Sequence, residues 1–450
     1  MPEPLKRMEQ SLITAEDALL VAEHALDQAT RAGASAAVGI SAGNGLSVAV
    51  RNGKVEVLEQ HRDKSLGITV YLGQRKGSAT TTDFSRAAVT DTVAAAVNIA
   101  AAAEADPYAG LIDPAQLAHD YPDLDLDHPW DLEASAGIEL ALQAEAAARA
   151  GGPGIQQVDE SAVTRYRGLR AYADTQGFRG AFRATRHGLS CTVVGAHEGA
   201  MQRGYWFSSA RRAADLESPD SVGRIAAERT LAKLGARRLG TRKAPVLFEN
   251  RIATGLVGHL LSAVSGASLY REASFLRDAA GTQIFPDFLQ IDETPHLPRG
   301  LGSAPFDSEG ARTVARPLIA AGVLNGYLLD SYAARRLGMA PTGHAGGAHN
   351  LRVSDQGADL AGLLRQMDTG LLVTDLMGFG VNLLTGDYSR GASGFWVERG
   401  ELAYPVEEIT IAGNLRDMFR TLVASGSDLE RRGSVQCGAL LLAEMTIAGK

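Results

Sequence analysis

The chain has 450 residues, of which 45% are hydrophobic and 21% charged, a composition typical of a globular protein with two or three domains. Its formal net charge of −8 argues against a nucleic-acid binder, because binding to phosphates requires a basic face. Two cysteines are too few for a disulfide framework. The first residues (MPEPLKRMEQS) lack the apolar stretch of a secretory signal, and no run of about 18 apolar residues could span a membrane. We therefore expect a cytoplasmic protein.

The first part of the chain predicts a two-layer α+β lobe built on an antiparallel meander. Residues 15 to 33 place apolar side chains on one helical face, with Thr14 as the N-cap. Apolar and polar residues alternate on both sides of Asn52-Gly53, which predicts a hairpin with a two-residue turn. A second hairpin is predicted to turn at residues 73 to 77, and a long Ala-rich helix follows.

A segment rich in Pro and Asp, residues 106 to 131, has no periodic pattern and marks a predicted domain boundary. A helix, a strand-rich segment and a helix that begins at Ser218-Pro219 follow it. A second boundary is predicted near residues 241 to 246. We therefore divide the chain into an N-terminal α+β lobe (1–125), a middle α+β segment that packs with it (126–238) and a C-terminal lobe (239–450).

Hairpin signals dominate the C-terminal lobe, which we predict to be mostly antiparallel sheet, barrel-like, with a few helices. Residues 386 to 414 predict two paired strands with a turn at Arg399-Gly400. A further hairpin is predicted within residues 315 to 330, and residues 251 to 265 are predicted to be helical. The predicted fold class of the whole chain is α+β.

Six segments along the chain resemble the PmbA/TldE family, the relatives and partners of the zinc peptidase TldD. The longest is GDYSRGASGFWVERGELAYPVEEITIAGN at residues 386 to 414. The others are LGITVYLGQRKGSATTTDFS (66–85), PDLDLDHP (122–129), SAPFDSEGARTVARPLI (303–319), LGMAPTGHAGGAHN (337–350) and VQCGALLLAEMTIAG (435–449).

This resemblance implies a function. Family members form a two-subunit assembly in which TldD carries the zinc, and the assembly degrades or trims peptides and unfolded polypeptides. An older family label refers to modulation of DNA gyrase, but nothing in this sequence supports direct gyrase contact. A TldD-like subunit and a peptide or unfolded protein are thus the expected partners.

The resemblance also implies where a metal site would be, and the sequence lacks it. Zinc-binding relatives have two histidines and a catalytic Glu on one helix, and a later Cys as third ligand. Here that helix has only His259, since residues 252 to 271 contain no Asp, Glu or second His. Cys437 resembles the third position. We therefore predict no catalytic residues and no metal in this chain, with His259 and Cys437 as vestigial positions, and expect the zinc on the partner.

A second histidine pair lies five residues apart in the glycine-rich loop, residues 343 to 350. His344 and His349 are predicted to order this loop or to contact substrate or partner, together with Asn350. An alternative hypothesis is a metal site that combines the pair with Asp307, Glu309 and Asp387, which lie in other motifs of the same lobe.

The segment from Gly386 to Trp396 is the predicted edge for peptide binding. Its small residues leave room for another backbone, so a peptide is expected to add to it as a strand. Asp387, Tyr388 and Arg390 are the predicted contact residues, with pairing inside the sheet as the alternative role.

Three functions therefore remain open from the sequence. The first is the non-metal subunit of a heteromeric metallopeptidase. The second is a stand-alone peptide-binding or protein-binding regulator without hydrolysis. The third is an autonomous homodimeric hydrolase with a metal at His344 and His349. A homodimer is also an alternative for the isolated non-metal subunit.

Overall fold

A computed structural model describes residues 13–449. The first residues, MPEPLKRMEQS, for which no secretory signal is predicted, lie outside this range. Within residues 13–449, no helix is long and apolar enough to cross a membrane. The predicted α+β class is confirmed: an antiparallel sheet with helices on one face forms the N-terminal half, and a closed barrel forms the centre of the C-terminal half.

Six long strands form the N-terminal sheet in the order β3-β2-β1-β4-β5-β6, all antiparallel. Their bounds are β1 Ser35–Arg51, β2 Lys54–Leu72, β3 Arg75–Thr81, β4 Ile155–Asp174, β5 Arg179–His197 and β6 Ala200–Ala210. Strands β1 and β4 pair from Ala37 with Asp174 to Val50 with Ser161, although about 100 residues separate them along the chain. The strands on both sides of the predicted boundary near residue 125 therefore belong to one sheet.

Four helices cover one face of this sheet. They are α1 Ala15–Arg31, α2 Arg86–Ala102, α3 Ala134–Arg149 and α4 Pro219–Ala232. Even-numbered residues of β1, such as Val38 and Val48, are fully buried beneath them. Because side chains alternate along a strand, the odd-numbered residues of β1 lie on the face that carries no helix.

The predicted N-cap of the first helix and the first predicted hairpin turn are confirmed, and the second turn differs in length. The Thr14 side chain accepts a hydrogen bond from the Asp17 amide at the start of α1. Asn52 and Gly53 both have positive φ angles, 52° and 71°, as a type I′ turn requires. The second predicted turn is tighter than expected, because β2 ends at Leu72 and β3 begins at Arg75.

The segment without periodicity is irregular in the structure, with a single 3₁₀ turn at Pro114–Gln116. Its residues connect the two halves of the molecule. The Arg335 guanidinium donates to the backbone carbonyls of Tyr108, Gly110 and Leu111. The Tyr332 hydroxyl donates to Asp106 over 2.9 Å.

Five strands close into a barrel at the centre of the C-terminal lobe, which confirms the predicted barrel-like sheet. Their order is β14-β13-β12-β7-β17, and a pairing of β14 with β17 completes the circle. The bounds are β7 Arg242–Phe248, β12 Gly370–Met377, β13 Asp387–Glu398, β14 Glu401–Asn414 and β17 Leu440–Ala448; β15 Leu422–Ser425 pairs with β17 outside the barrel. Arg399 and Gly400 form the predicted turn between β13 and β14, with φ angles of 55° and 76°.

A smaller sheet lies beside the barrel, in the order β10-β9-β8-β11-β16. Its strands are β8 Ile291–Glu293, β9 Arg316–Ala320, β10 Val323–Leu324, β11 Leu351–Val353 and β16 Val435–Gln436. Strands β9 and β10 form the hairpin predicted within residues 315 to 330. The helices of this lobe are α5 Asn250–Ala263, α6 Gly266–Tyr270, α7 Ser331–Leu337, α8 Leu360–Met367 and α9 Leu415–Arg420.

Candidate functional site

A buried carboxylate joins the two histidines of the glycine-rich loop. Glu293 Oε2 lies 2.8 Å from His344 Nε2, and Glu293 Oε1 lies 3.2 Å from His349 Nδ1. The His349 backbone N–H also donates to Glu293 Oε1 over 2.8 Å. One ligand-type atom from each residue lies within 4.8 Å of the others, and no other such group is found among residues 13–449. We call Glu293, His344 and His349 the buried triad.

The fold positions the triad from both sides. Glu293 is the last residue of β8, and β8 pairs with β11, which follows the glycine-rich loop directly. The loop packs closely against neighbouring backbone, because a Cβ at Gly343 would lie only 2.5 Å from the Arg312 carbonyl oxygen. Gly343 also has a φ of 74°, which glycine adopts without strain. The loop conformation thus carries both histidines to one carboxylate.

The carboxylate of the triad is ionised. Burial acts to raise the pKa of Glu293, but hydrogen bonds from His344 and His349 outweigh burial and hold that pKa well below its usual range. The Arg316 guanidinium lies 3.4 Å from Glu293 Oε2 and adds a positive charge. Four donor groups therefore surround one buried anion.

These contacts decide how well a metal ion fits. Two imidazoles and one carboxylate are a donor set that zinc accepts. Both carboxylate oxygens, however, already accept hydrogen bonds, and Arg316 places a cation where an ion would need negative charge. A catalytic zinc also needs an open position for water, whereas the Glu293 and His344 side chains are 0% and 2% exposed. The donor types fit zinc, and their surroundings fit a hydrogen-bonded network better.

The alternative metal site predicted from the sequence is wrong in its carboxylate ligands, because the three predicted acidic residues do not join the histidines. Asp307 is engaged by the backbone amides of Glu309, Ala311 and Ala345. Glu309 accepts from the Ser331 amide and hydroxyl. Neither joins the metal-type group, and neither does Asp387.

Glu293, which was not predicted from the sequence as a site residue, supplies the carboxylate instead. A local signal exists: Glu293 continues the alternation of Leu289 and Ile291, so it falls in a buried register. A carboxylate at such a position needs partners.

Asn350, the third predicted residue of the loop, ties the loop to a neighbouring turn. Its side-chain amide donates to Ser303 Oγ over 2.7 Å, and its carbonyl oxygen accepts from the Gly302 amide over 2.8 Å. Its predicted contact with substrate or partner stays a prediction, as do those of His344 and His349.

The vestigial position His259 lies on α5 and faces Tyr388. The two rings meet edge to face with centroids 5.9 Å apart. Burial, followed by the charge of Arg390, lowers the pKa of His259. The Tyr388 hydroxyl and Arg390 Nε are buried, and neither finds a hydrogen-bond partner among residues 13–449. We call His259, Tyr388 and Arg390 the aromatic site.

Cys437 is fully buried and its thiol donates to the Gly438 carbonyl oxygen over 3.2 Å. Burial raises the pKa of this thiol well above its ordinary value, and Asp428 raises it further. A thiol held in the protonated form is a poor metal ligand, because zinc binds the thiolate. Within residues 13–449, His259 and Cys437 belong to no group of metal-type ligands.

The predicted peptide-binding edge is wrong, because β13 is an interior strand of the barrel. Gly391 pairs with Met377 of β12 on one side and with Thr410 of β14 on the other. Gly394 packs so closely on the Leu372 carbonyl that an added Cβ would lie 1.9 Å from it. The small residues of this strand therefore accommodate the neighbouring strand of the barrel.

Asp387 lies at the start of β13, where it is exposed. Its carboxylate accepts hydrogen bonds from Thr385 Oγ1 and the Asn414 side chain, which lower its pKa. These contacts fix the turn before the strand. Asp387 does not belong to the group of metal-type ligands that the buried triad forms, and its predicted contact with substrate or partner stays a prediction.

A cleft of about 750 Å³ lies between the helix-free face of the N-terminal sheet and the glycine-rich loop. His349 lines it, so the buried triad lies directly behind its wall. On the opposite side it is lined by β1, β4 and β5. Its volume is in the range of small-ligand and peptide sites.

Comparisons with known proteins place this geometry in context. Three family models match the chain: "PmbA/TldA metallopeptidase domain 1" over residues 36–100, the "central domain" over residues 127–234 and the "C-terminal domain" over residues 241–449. Together they match more than half of its residues.

Curated relatives match along nearly the full length. Metalloprotease PmbA of Escherichia coli O157:H7 is 49% identical over 426 residues, which is 95% of each chain. The metalloprotease PmbA homolog of Haemophilus influenzae is 45% identical over 99% of this chain and 98% of the relative.

Solved structures share the fold. A candidate modulator of DNA gyrase from Bacteroides thetaiotaomicron superposes with a TM-score of 0.92 at 28% identity, covering 98% of this chain and 100% of that one. TldE from Thermococcus kodakarensis superposes with a TM-score of 0.83 at 18% identity, covering 97% and 100%.

Proposed function

Because the chain belongs to the PmbA/TldD metallopeptidase family, we propose that it is the PmbA/TldE-type subunit of a two-subunit peptidase. A TldD-type partner would carry the catalytic zinc, and the assembly would degrade or trim peptides and unfolded polypeptides. This chain would complete the substrate chamber. The names of the relatives support the metalloprotease part of the proposal.

The environment of His259 is the main observation that supports placing the catalytic zinc on the partner subunit and not on this chain. A zinc hydrolase needs several ligands and a nearby base for the attacking water. Around His259 the chain supplies an aromatic ring, a guanidinium and apolar helix residues, and among residues 13–449 His259 belongs to no group of metal-type ligands. Arg390 is close enough to lower the pKa of His259, so it would also repel a bound cation.

The buried triad supports the same division. Its carboxylate is already engaged by the imidazoles, by a backbone amide and by Arg316, and it is closed to solvent. We propose that it stabilises the wall of the cleft and binds no catalytic ion. Its hydrogen bonds would hold the glycine-rich loop in the position from which it meets substrate or partner.

The location and assembly of the protein belong to the same proposal. Two buried free cysteines are compatible with the reducing cytoplasm. A surface that pairs with a subunit of related fold can also pair with itself, so the isolated chain is expected to form a homodimer when the partner is absent.

Reconstitution tests the proposal. The chain and a TldD-type subunit from the same organism are purified separately and mixed, and peptide cleavage is measured for each alone and for the mixture. We expect a one-to-one complex on a sizing column and cleavage only when the TldD-type subunit is present. A variant of that subunit without its helix Glu serves as the inactive control.

Two results would contradict the proposal. Cleavage by this chain alone would show an autonomous hydrolase. Failure to form a complex, with peptide binding retained by the isolated chain, would instead favour the stand-alone regulator.

A further inference from the structure

The cleft between the two lobes carries an unusual concentration of positive charge for an acidic protein. Arg170, Arg186 and Arg211 line it, whereas the chain as a whole has a net charge of −8. Within the described part of the chain, no carboxylate oxygen lies within salt-bridge distance of any of the three. Three guanidinium groups in one cleft therefore lack a counter-charge.

The bonding of these arginines leaves capacity for a ligand. Arg211 donates to the backbone carbonyls of Thr185, Gly300 and Leu301, yet its buried Nε has no partner within the part of the chain that the structure describes. Arg186 donates through Nε to Ser209 Oγ. Since carbonyl and hydroxyl acceptors carry no net charge, the cations stay uncompensated.

The three guanidinium groups are close enough for the charges of two of them to affect the pKa of the third. Burial, followed by the charges of Arg186 and Arg170, lowers the pKa of Arg211 to about 10. One acidic residue, Asp307, also lines the cleft. Its oxygens are used by three backbone amides, and burial raises its pKa, so it is a weak counter-charge.

The arginines are spread along the sheet and do not converge on one point. Arg186 pairs across the sheet with Tyr166, which precedes Arg170 by four residues on the same strand. At about 3.3 Å per residue, the two arginines are roughly 13 Å apart along the strand direction. A single phosphate spans much less than this, whereas an extended peptide presents side chains of the same face about every 7 Å.

The floor between the arginines is made of small residues on the helix-free face. Ser41 pairs with both Ser65 and Arg170, and Gly168 pairs with Ala184. All of them line the cleft. The Tyr166 ring lies against Gly168, 2.9 Å from where a Cβ would be, so the small residues on which another chain could lie are Ser41, Ser65 and Ala184.

We propose that this cleft binds an extended acidic segment of the polypeptide substrate, with Arg170, Arg186 and Arg211 pairing with its carboxylates. This deepens the proposed function, because it names a class of sequence that the assembly would select. Guanidinium groups suit the role, since their planar donors match the two oxygens of a carboxylate.

Fluorescence anisotropy with the full chain tests the assignment. The probe is a labelled peptide with Glu at alternate positions, and its control is the same peptide with Gln in place of Glu. We expect the Glu peptide to bind about tenfold more tightly, because each solvent-exposed ion pair lost costs roughly two- to threefold and the Gln peptide loses up to three of them. The R170Q/R186Q variant should lose that preference.

The matched control is R224Q/R352Q, which removes the same charge from arginine side chains that are 58% and 61% exposed elsewhere. It should bind the Glu peptide like the wild type. Circular dichroism melting checks that both variants fold, and R170K/R186K, which keeps the charge, should retain part of the preference.

Equal affinity for the Glu and Gln peptides would overturn the proposal. So would an unchanged preference in a folded R170Q/R186Q variant, or tighter binding of a single-stranded oligonucleotide or inorganic phosphate that the same variant abolishes. Because the readout is binding to the isolated chain, these failures are separate from failure of the two-subunit proposal, which complex formation and cleavage decide.

Discussion

The buried triad and the aromatic site both place histidines in the C-terminal lobe, but they hold them in opposite ways. In the triad an ionised Glu293 meets four donor groups, and its hydrogen bonds are complete. In the aromatic site His259 contacts a ring and lies near a cation, and the described residues offer no hydrogen-bond partner to the Tyr388 hydroxyl or Arg390 Nε. The histidines of the triad therefore belong to a hydrogen-bonded network in which the carboxylate is fully partnered, whereas His259 lies beside polar groups that lack partners.

This difference shows why histidine spacing alone is a weak guide to metal chemistry. The triad has metal-type donors, yet a cation and a backbone amide already satisfy its carboxylate. The aromatic site has the position expected from the family resemblance, yet it has a guanidinium where an ion would need acidic ligands. In both regions the groups around the histidines decide what they can bind.

The largest expected effect comes from removing the charge at the centre of the triad. E293Q should lower the free energy of unfolding by about 3–5 kcal/mol, because it leaves two buried imidazoles and the half-buried Arg316 without their anion. Urea denaturation monitored by fluorescence measures this. E401Q, at an exposed hairpin end, is the control and should change stability by under about 0.5 kcal/mol. A loss below about 1 kcal/mol for E293Q would show that the triad is not a structural network.

A double-mutant cycle tests whether Glu293 and His344 stabilise the fold through their mutual hydrogen bond. H344L should cost about 1–3 kcal/mol, because it removes one hydrogen bond to Glu293 and one to Thr342. In the E293Q background the additional cost should be smaller, since the partner has already gone. Additive losses, measured by the same denaturation, would contradict coupling between these two side chains.

Removing the unpartnered hydroxyl of the aromatic site should have a smaller effect of the opposite sign. Y388F keeps the ring that contacts His259 and removes a buried group without a hydrogen bond. Stability should stay unchanged or rise by up to about 1 kcal/mol. Y327F is the matched control, since that hydroxyl donates to the Leu276 carbonyl and its loss should destabilise. Destabilisation by Y388F would mean that its hydroxyl makes a bond in solution.

The smallest expected effect is a change in pH dependence. The pKa of His259 is lowered in the folded chain, so below pH 6.5 the unfolded chain takes up a proton that the folded chain does not. Stability should therefore fall as the pH decreases from about 7 through 6.5, and H259Q should reduce that slope. H119Q, at an exposed loop position, is the comparison. An identical slope in wild type and H259Q would contradict burial of a neutral imidazole.

Local features of the fold could be predicted from the sequence because their causes are local. The Thr14 cap, the Asn52-Gly53 turn and the Arg399-Gly400 turn each depend on residues within three positions of one another. The hairpins of the C-terminal lobe were predicted for the same reason, whereas its barrel-like form also rested on the family resemblance. These elements need no knowledge of distant partners.

The candidate site could not be predicted in the same way, since its partners are distant along the chain. Glu293 lies 51 residues from His344 and 56 from His349. The interior position of β13 depends on the pairing of β14 with β17, which closes the barrel. A strand with small residues looks like an open edge until that closure is known.

Zinc content tests the central claim most directly. The isolated chain and its TldD-type partner are each equilibrated with excess zinc, passed through a sizing column and measured by mass spectrometry for metal. We predict about one zinc per TldD-type subunit and far less than one per molecule of this chain. One tightly held zinc per molecule of this chain, lost in folded H344L and accompanied by peptide cleavage, would contradict it.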